Sequence, residues 1–371
     1  MTVKELALPC VRGLTPYIPG KPISELEREL GLRHIIKLAS NENPLGPSPS
    51  ALEAAARSLG ALHLYPDGGG FELKRALATR LGVAPEQITL GNGSNDVLDL
   101  VGRTFLGPER GAAFSEHAFA VYPIVAQAMG AVLQVAPAGD GSRGPRYGHD
   151  LEALSRVIDS TTRVVFLANP NNPTGTYLPE NALESFLNGL PEQTMVVIDE
   201  AYFEYVAAGD YPDSTRWLTT HPRLVVTRTF SKAYGLAGLR VGYALSSPET
   251  AELMNRVRQP FNVSLIALEA ARAALLDSEH LEATVKLNRE GLAYLEQALR
   301  QRGLAVIPSV GNFVTFDLAR PAQPVYEALL RAGVIVRPIA NYGLPRHLRV
   351  TVGLEAENRA FIEALDRVLD R

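Results

Sequence analysis

The chain has 371 residues, 46% of them hydrophobic and 20% charged, with a formal net charge of −4. That length exceeds the size at which one hydrophobic core stops growing, so two lobes are expected. So mild a charge argues against a nucleic-acid or membrane surface as the main partner, and no apolar run approaches the roughly 20 residues of a membrane span.

In chain order, residues 1–40 read as an arm. Pro9, Pro16, Pro19 and Pro22 forbid a long helix and leave only a short one over 24–30. The opening Met-Thr-Val-Lys-Glu-Leu lacks the basic-then-apolar order of a secretory signal, so a cytoplasmic protein is expected. Cys10 is the only cysteine, which excludes an internal disulfide and a cysteine metal cluster; it reads as small apolar filler. No metal is expected.

Residues 41–50, dense in Asn, Pro, Gly and Ser, read as irregular backbone. After them, apolar runs rich in β-branched residues (111–115, 132–136, 163–168, 195–199, 224–229, 241–245) alternate with helical patterns (94–106, 120–130, 180–189). That alternation predicts an α/β fold, a mostly parallel sheet between helical layers. The Gly- and Arg-rich stretch 140–149 reads as an exposed loop. From about 248 long helical patterns dominate (261–276, 279–302), followed by strands at 312–317, 334–337 and 348–352 and a last helix. The predicted division is an arm with part of the small domain over 1–45, a large domain over 46–250, and a small α+β domain over 251–371.

Ligands of open parallel sheets bind beyond the carboxyl ends of the strands, where this chain collects its polar residues. Leu90 leads into Gly91-Asn92-Gly93-Ser94-Asn95-Asp96 and a helical pattern. Here bare N–H groups and Ser94 could face a phosphate, or Ser94 or Asn95 could simply cap the helix. A Gly-x-Gly-x-x-Gly fingerprint is ruled out by Asp96, and no Walker motif occurs. Phe119 could stack on a flat ring or fill the core; His117 has no assigned role. Strand 163–168 ends in Asn169-Pro170-Asn171-Asn172-Pro173-Thr174-Gly175, which could aim an amide at a ring oxygen or form a structural turn. Strand 195–199 ends in Asp199-Glu200-Ala201-Tyr202. Asp199 could pair with a protonated ring nitrogen or cap the next helix; Tyr202 could reach the same ring or pack.

Lys232 is the only lysine between Lys74 and Lys286, in a chain that otherwise uses arginine for positive charge. An amine can form a Schiff base with a carbonyl; an always-protonated guanidinium cannot. With Thr229, Ser231 and Arg240 around it, Lys232 suits a cofactor that carries both an aldehyde and a phosphate. Taken alone, it could equally be a solvated surface lysine.

Together these stretches resemble the pyridoxal-phosphate aminotransferases of fold type I and, within them, the histidinol-phosphate aminotransferases. The likeness runs over nearly the whole chain. It takes in 16–22, 38–47, Tyr65-Pro66-Asp67, 91–96, 169–175, 199–202, 229–240, Asn312-Phe313 and 348–353. It implies that Lys232 holds pyridoxal 5'-phosphate as an internal aldimine and carries the proton between substrate Cα and cofactor. Asp199 would pair the ring nitrogen, Asn172 and Tyr202 would hold the ring oxygen, and Phe119 would stack on the ring. Gly93, Ser94, Asn95, Thr229, Ser231 and Arg240 would surround the phosphate. Tyr65 would reach the phosphate of a neighbouring subunit, which implies a homodimer. Substrate would meet Tyr17, Asn43, Asn172, Arg337 and Arg349, with Arg349 taking a carboxylate. The implied reaction converts histidinol phosphate and 2-oxoglutarate to imidazole acetol phosphate and glutamate. The family often has tyrosine where Phe119 stands, and relatives suspected of taking aromatic amino acids vary there. Transfer from phenylalanine or tyrosine is therefore the alternative, and decarboxylation of an O-phosphorylated amino acid a further rival.

Overall fold

The computed structural model describes residues 2–369. Its strands are β1 (Ile36–Lys37), β2 (Ile88–Gly91), β3 (Gly111–Ser115), β4 (Val132–Ala136), β5 (Thr162–Ala168), β6 (Met195–Asp199), β7 (Leu224–Thr229) and β8 (Gly242–Leu245), then β9 (Ala305–Ile307), β10 (Phe313–Asp317), β11 (Val334–Ile335), β12 (Arg337–Pro338) and β13 (His347–Thr351).

A seven-stranded sheet with the order β2-β8-β7-β6-β5-β3-β4 forms the large lobe. Neighbours from β7 to β4 are parallel, whereas β8 runs against both β2 and β7. All residues of β2, β3, β6, β7 and β8 are buried, which is why their sequences read as continuous apolar runs rather than alternating ones. The expected strands and helices fall within a few residues of their places. The helices Pro49–Ser58 and Phe71–Leu81 and the short β2 lie where no element was expected.

The second lobe has a four-stranded antiparallel sheet, β12-β13-β10-β9, covered by the helices Ser278–Gln301, Ala322–Arg331 and Glu355–Val368. Its core gathers Leu295, Leu299, Phe316, Leu348 and Phe361. The helix Leu265–Leu276 instead buries Leu268, Ala271 and Leu275 in the large lobe's core beside Leu73 and Leu77, and packs on Pro49–Ser58. A division at 250/251 would cut through that core; the packing puts the boundary near Asp277.

The arm touches both lobes. Gln127 Nε2 donates to the Cys10 carbonyl at 3.3 Å, on the large lobe, while β1 pairs in parallel with β11 of the small lobe. The 140–149 loop is exposed over 141–146, but its end turns inward. His149 Nδ1 lies 2.7 Å from Ser115 Oγ and its Nε2 2.9 Å from the Ala168 carbonyl. The ring thus ties the ends of β3 and β5 together, and its burial pushes the imidazole pKa down to about 4. Among the described residues no helix is long and apolar enough to cross a membrane, and no group of His, Cys, Asp or Glu is arranged to hold a metal.

Candidate active site

Where the parallel strands end and the small lobe and arm lean over them, the chain encloses a cavity of about 220 Å3. Most of the expected residues line it: Tyr17, Ser94, Asn95, Phe119, Asn172, Asp199, Tyr202, Thr229, Ser231, Lys232, Arg240, Arg337 and Arg349. They fall into three stations.

The first station is built for an anion. Gly93 starts the helix Ser94–Phe105 without a side-chain cap, so the helix N-terminus presents its first N–H groups bare. Arg240, in a left-handed conformation (φ 53°), sends Nη1 to Ser231 Oγ at 3.4 Å, and the Ser231 N–H donates to Thr229 Oγ1 at 3.1 Å. A Cβ at Gly242 would lie 2.5 Å from the Ser94 nitrogen, and one at Gly93 2.5 Å from Arg240 Nη2. Only glycine permits that approach. Gly93 therefore backs Arg240 rather than lining the cavity.

The second station is a buried carboxylate. Asp199 is 4% exposed; its Oδ2 accepts from the Tyr122 hydroxyl and its Oδ1 from Thr227, both at 3.0 Å. Burial pushes the Asp199 carboxyl up, and these two hydrogen bonds pull it back toward the ionised form. Phe119 stands edge-on to Tyr122, with ring centroids 5.8 Å apart. Lys232 Nζ donates to the Ser40 carbonyl at 3.1 Å and lies 5.8 Å from the centre of the Tyr202 ring. Burial, and then the positive charge of Arg349, lower its pKa to about 8. Asn41 Nδ2 donates to the Tyr202 hydroxyl at 2.8 Å, leaving that hydroxyl's own proton available.

The third station holds two guanidinium groups. Arg349 Nη1 donates to Asn172 Oδ1 at 2.5 Å and its Nη2 to the Ala39 carbonyl at 2.8 Å, while its buried Nε has no partner. Arg337 donates to the Ile18 carbonyl at 2.6 Å and lies 5.8 Å from the Tyr17 ring centre. The two arginines are direct cross-strand neighbours of β12 and β13, 8% and 5% exposed. Like charges facing each other in an antiparallel pair repel, and among the described residues no carboxylate is bonded to either. The arrangement calls for an anionic ligand.

Besides Gly93, two expected residues stand elsewhere. Asn43 points away from the cavity: its Nδ2 donates to the Ala233 carbonyl at 2.9 Å and Thr284 Oγ1 at 3.1 Å, and its Oδ1 accepts the Leu45 N–H at 3.0 Å. Asn41, two residues earlier and in a left-handed conformation (φ 54°), lines the cavity instead. Tyr65 is 82% exposed and outside this chain's cavity. Tyr122 and Thr227 were not anticipated as partners of Asp199, although simple signals point to them. Tyr122 lies three residues after Phe119, in the first turn of the helix Val121–Ala128, and Thr227 two residues before Thr229 on one strand face.

The stations fit pyridoxal 5'-phosphate: an anion cradle that a Cβ would fill, a buried carboxylate for a ring nitrogen, and an amine held at lowered pKa between them.

A family model for class I and II aminotransferases matches residues 33–365. A histidinol-phosphate aminotransferase of Methylococcus capsulatus is 64% identical over 369 residues, 100% of both chains. One of Pseudomonas aeruginosa is 58% identical, covering 98% of each. In structure, the chain is similar to the histidinol-phosphate aminotransferase of Sinorhizobium meliloti solved with pyridoxal-5'-phosphate. The TM-score is 0.89 at 31% identity, over 98% of this chain and 97% of that one.

Proposed function

The chain belongs to the class I and II aminotransferases, and from that premise we propose that it exchanges an amino group between histidinol phosphate and 2-oxoglutarate. The products are imidazole acetol phosphate and glutamate, a step of histidine biosynthesis. The observation that carries the reading is the pair Arg337 and Arg349: both substrates are anionic, one through a phosphate and the other through carboxylates. Phenylalanine or tyrosine as main donor is not favoured, since the full-length relatives bear the histidinol-phosphate name. The decarboxylase rival is set aside for the same reason.

Pyridoxal 5'-phosphate, when bound, supplies a carbonyl that takes the amino group and a ring that draws electrons from the substrate Cα. The chain's own residues do the rest. The Ser94 N-terminus, Thr229, Ser231 and Arg240 bind the phosphate, with Asn95 at the rim. Asp199, held by hydrogen bonds from Tyr122 and Thr227, would pair with the ring nitrogen. Tyr202 and Asn172 fix the ring oxygen, and Phe119 lies against the ring face. Lys232, with its pKa near 8, has an appreciable neutral fraction near pH 7; it would take the proton from the substrate Cα and return it to the cofactor's carbonyl carbon, across the intervening nitrogen. Arg349 orients the carboxylate of glutamate or 2-oxoglutarate by its fork of donors. Arg337 and Tyr17 take the phosphate of histidinol phosphate, and the arm over the mouth excludes water.

A homodimer completes the reading. The cradle is open on one side, where Asn95 and Arg240 are exposed. Elsewhere on this chain Tyr65 stands out among exposed Leu52, Leu59, Leu62, Leu64 and Phe71. A second copy would cover that apolar face and receive Tyr65 at its own cradle. A cytoplasmic location goes with a biosynthetic reaction on small phosphorylated metabolites.

The test is the absorbance of the cofactor-loaded protein mixed separately with histidinol phosphate and with phenylalanine, without keto acid. Rapid loss of the visible band with histidinol phosphate alone is expected. Equal or faster loss with phenylalanine would move the enzyme to aromatic amino acids, and a protein that develops no band would sink both readings.

A further inference from the structure

We infer that Phe261 is a positioning residue: it is the platform that holds Tyr65 ready for the cradle of the neighbouring subunit. The inference rests on the homodimer reading above and deepens it.

The Tyr65 ring stacks on Phe261 with centroids 4.7 Å apart and planes 24° from parallel. Both rings stand in the open, at 82% and 45% exposure, so burial does not explain the pair. Phe261 also adopts a left-handed backbone (φ 55°), which a bulky side chain rarely takes. Such a conformation persists where the surroundings over-determine it, and it gathers at ligand clamps.

The surroundings here do so. Arg258 Nη2 donates to the Gly68 carbonyl at 3.0 Å, on the loop that carries Tyr65, and its Nη1 to Asn262 Oδ1 at 2.8 Å. Asn262 Nδ2 in turn donates to the Leu90 carbonyl at 3.1 Å and to Asp96 Oδ2 at 2.8 Å. Asp96 lies in the first turn of the helix that begins at Ser94. Gly68 makes room for the stack, since a Cβ there would meet the Phe261 ring at 3.3 Å. The Tyr65 loop is itself fixed, with Asp67 accepting the Gly69 N–H at 2.9 Å and the Phe71 N–H at 2.7 Å.

The 258–262 turn is therefore clipped to Tyr65's loop at one end and to this subunit's own phosphate cradle at the other. Stacking removes rotational freedom that Tyr65 would otherwise lose on meeting a phosphate, so its phenol donates at less entropic cost.

The test uses full-length protein stripped of pyridoxal phosphate and titrated back with it. Affinity is read from the visible band and assembly from sedimentation. Tyr65→Phe and Phe261→Ala are each expected to weaken cofactor affinity about tenfold. The double variant should lose no more than either single one, Phe261→Tyr should restore normal affinity, and all should remain dimeric. Normal affinity in Tyr65→Phe would overturn the reading of Tyr65, and the inference with it. A weakened Tyr65→Phe beside a normal Phe261→Ala would overturn the platform alone, as would losses that multiply in the double variant. A monomeric Phe261→Ala would also overturn it, by making Phe261 part of the subunit contact instead.

Discussion

The two walls of the cavity are built on different principles. On the large-lobe side the functional groups sit at the ends of a buried parallel sheet, and the central carboxylate, Asp199, has both oxygens hydrogen-bonded. On the other side the groups come from an arm and a short antiparallel ladder. Tyr17 is 47% exposed there, and two neighbouring arginines have no carboxylate partner among the described residues. The first wall is finished without substrate; the second is completed by it. Rigid placement serves chemistry common to every turnover, whereas an electrostatically unsatisfied wall serves selection of what enters.

Substitutions on the two walls should then fail in different ways. The largest effect belongs to Lys232→Ala, with turnover falling on the order of ten-thousandfold in a protein of normal circular dichroism. Near-normal turnover would end the mechanism. Asp199→Asn comes next: kcat is expected to drop about a hundredfold or more with little change in melting temperature. Parallel losses in both would make Asp199 a structural residue.

The second wall should answer in KM. Arg337→Lys is expected to raise the KM for histidinol phosphate about tenfold or more while leaving that for 2-oxoglutarate nearly unchanged. Arg349→Lys should raise the KM for 2-oxoglutarate to a similar degree, since a bidentate contact is lost. If both variants lowered kcat alone, the contrast between the walls would collapse.

The smallest effect is one of form. Only a neutral amine attacks a carbonyl, and the pKa of Lys232 is lowered from 10.5 to about 8. The rate at which the cofactor-free protein takes up pyridoxal phosphate should rise with pH up to about 8 and then level off. A rise continuing beyond pH 10 would mean that Lys232 behaves as an ordinary solvated lysine.

Much of the first wall was legible in the sequence. Parallel strands deliver their last residues to one edge, so Asp199, Asn172 and Lys232 could be grouped from strand patterns and motif alone. The second wall was far less so. Arg337 and Arg349 face each other only because β12 turns back on β13, a pairing that no motif encodes. Asn43 and Asn41 differ by a single left-handed turn, which spacing cannot show. Tyr122 and Asp199 are 77 positions apart and meet through the sheet. The Leu265–Leu276 helix was assigned to the wrong lobe because a helical pattern states that a face is buried, not which core receives it.

The arm has one more consequence. It is fastened near Cys10 to the large lobe and, through Ile18 and then β1, to the small one, and Tyr17 and Gly20 line the cavity on either side of the Ile18 fastening. A strip moored to two bodies converts any change in the angle between them into slack or tension at its middle. The mouth is thus geared to the posture of the lobes: no separate lid is needed for the doorway to register whether the two halves have come together.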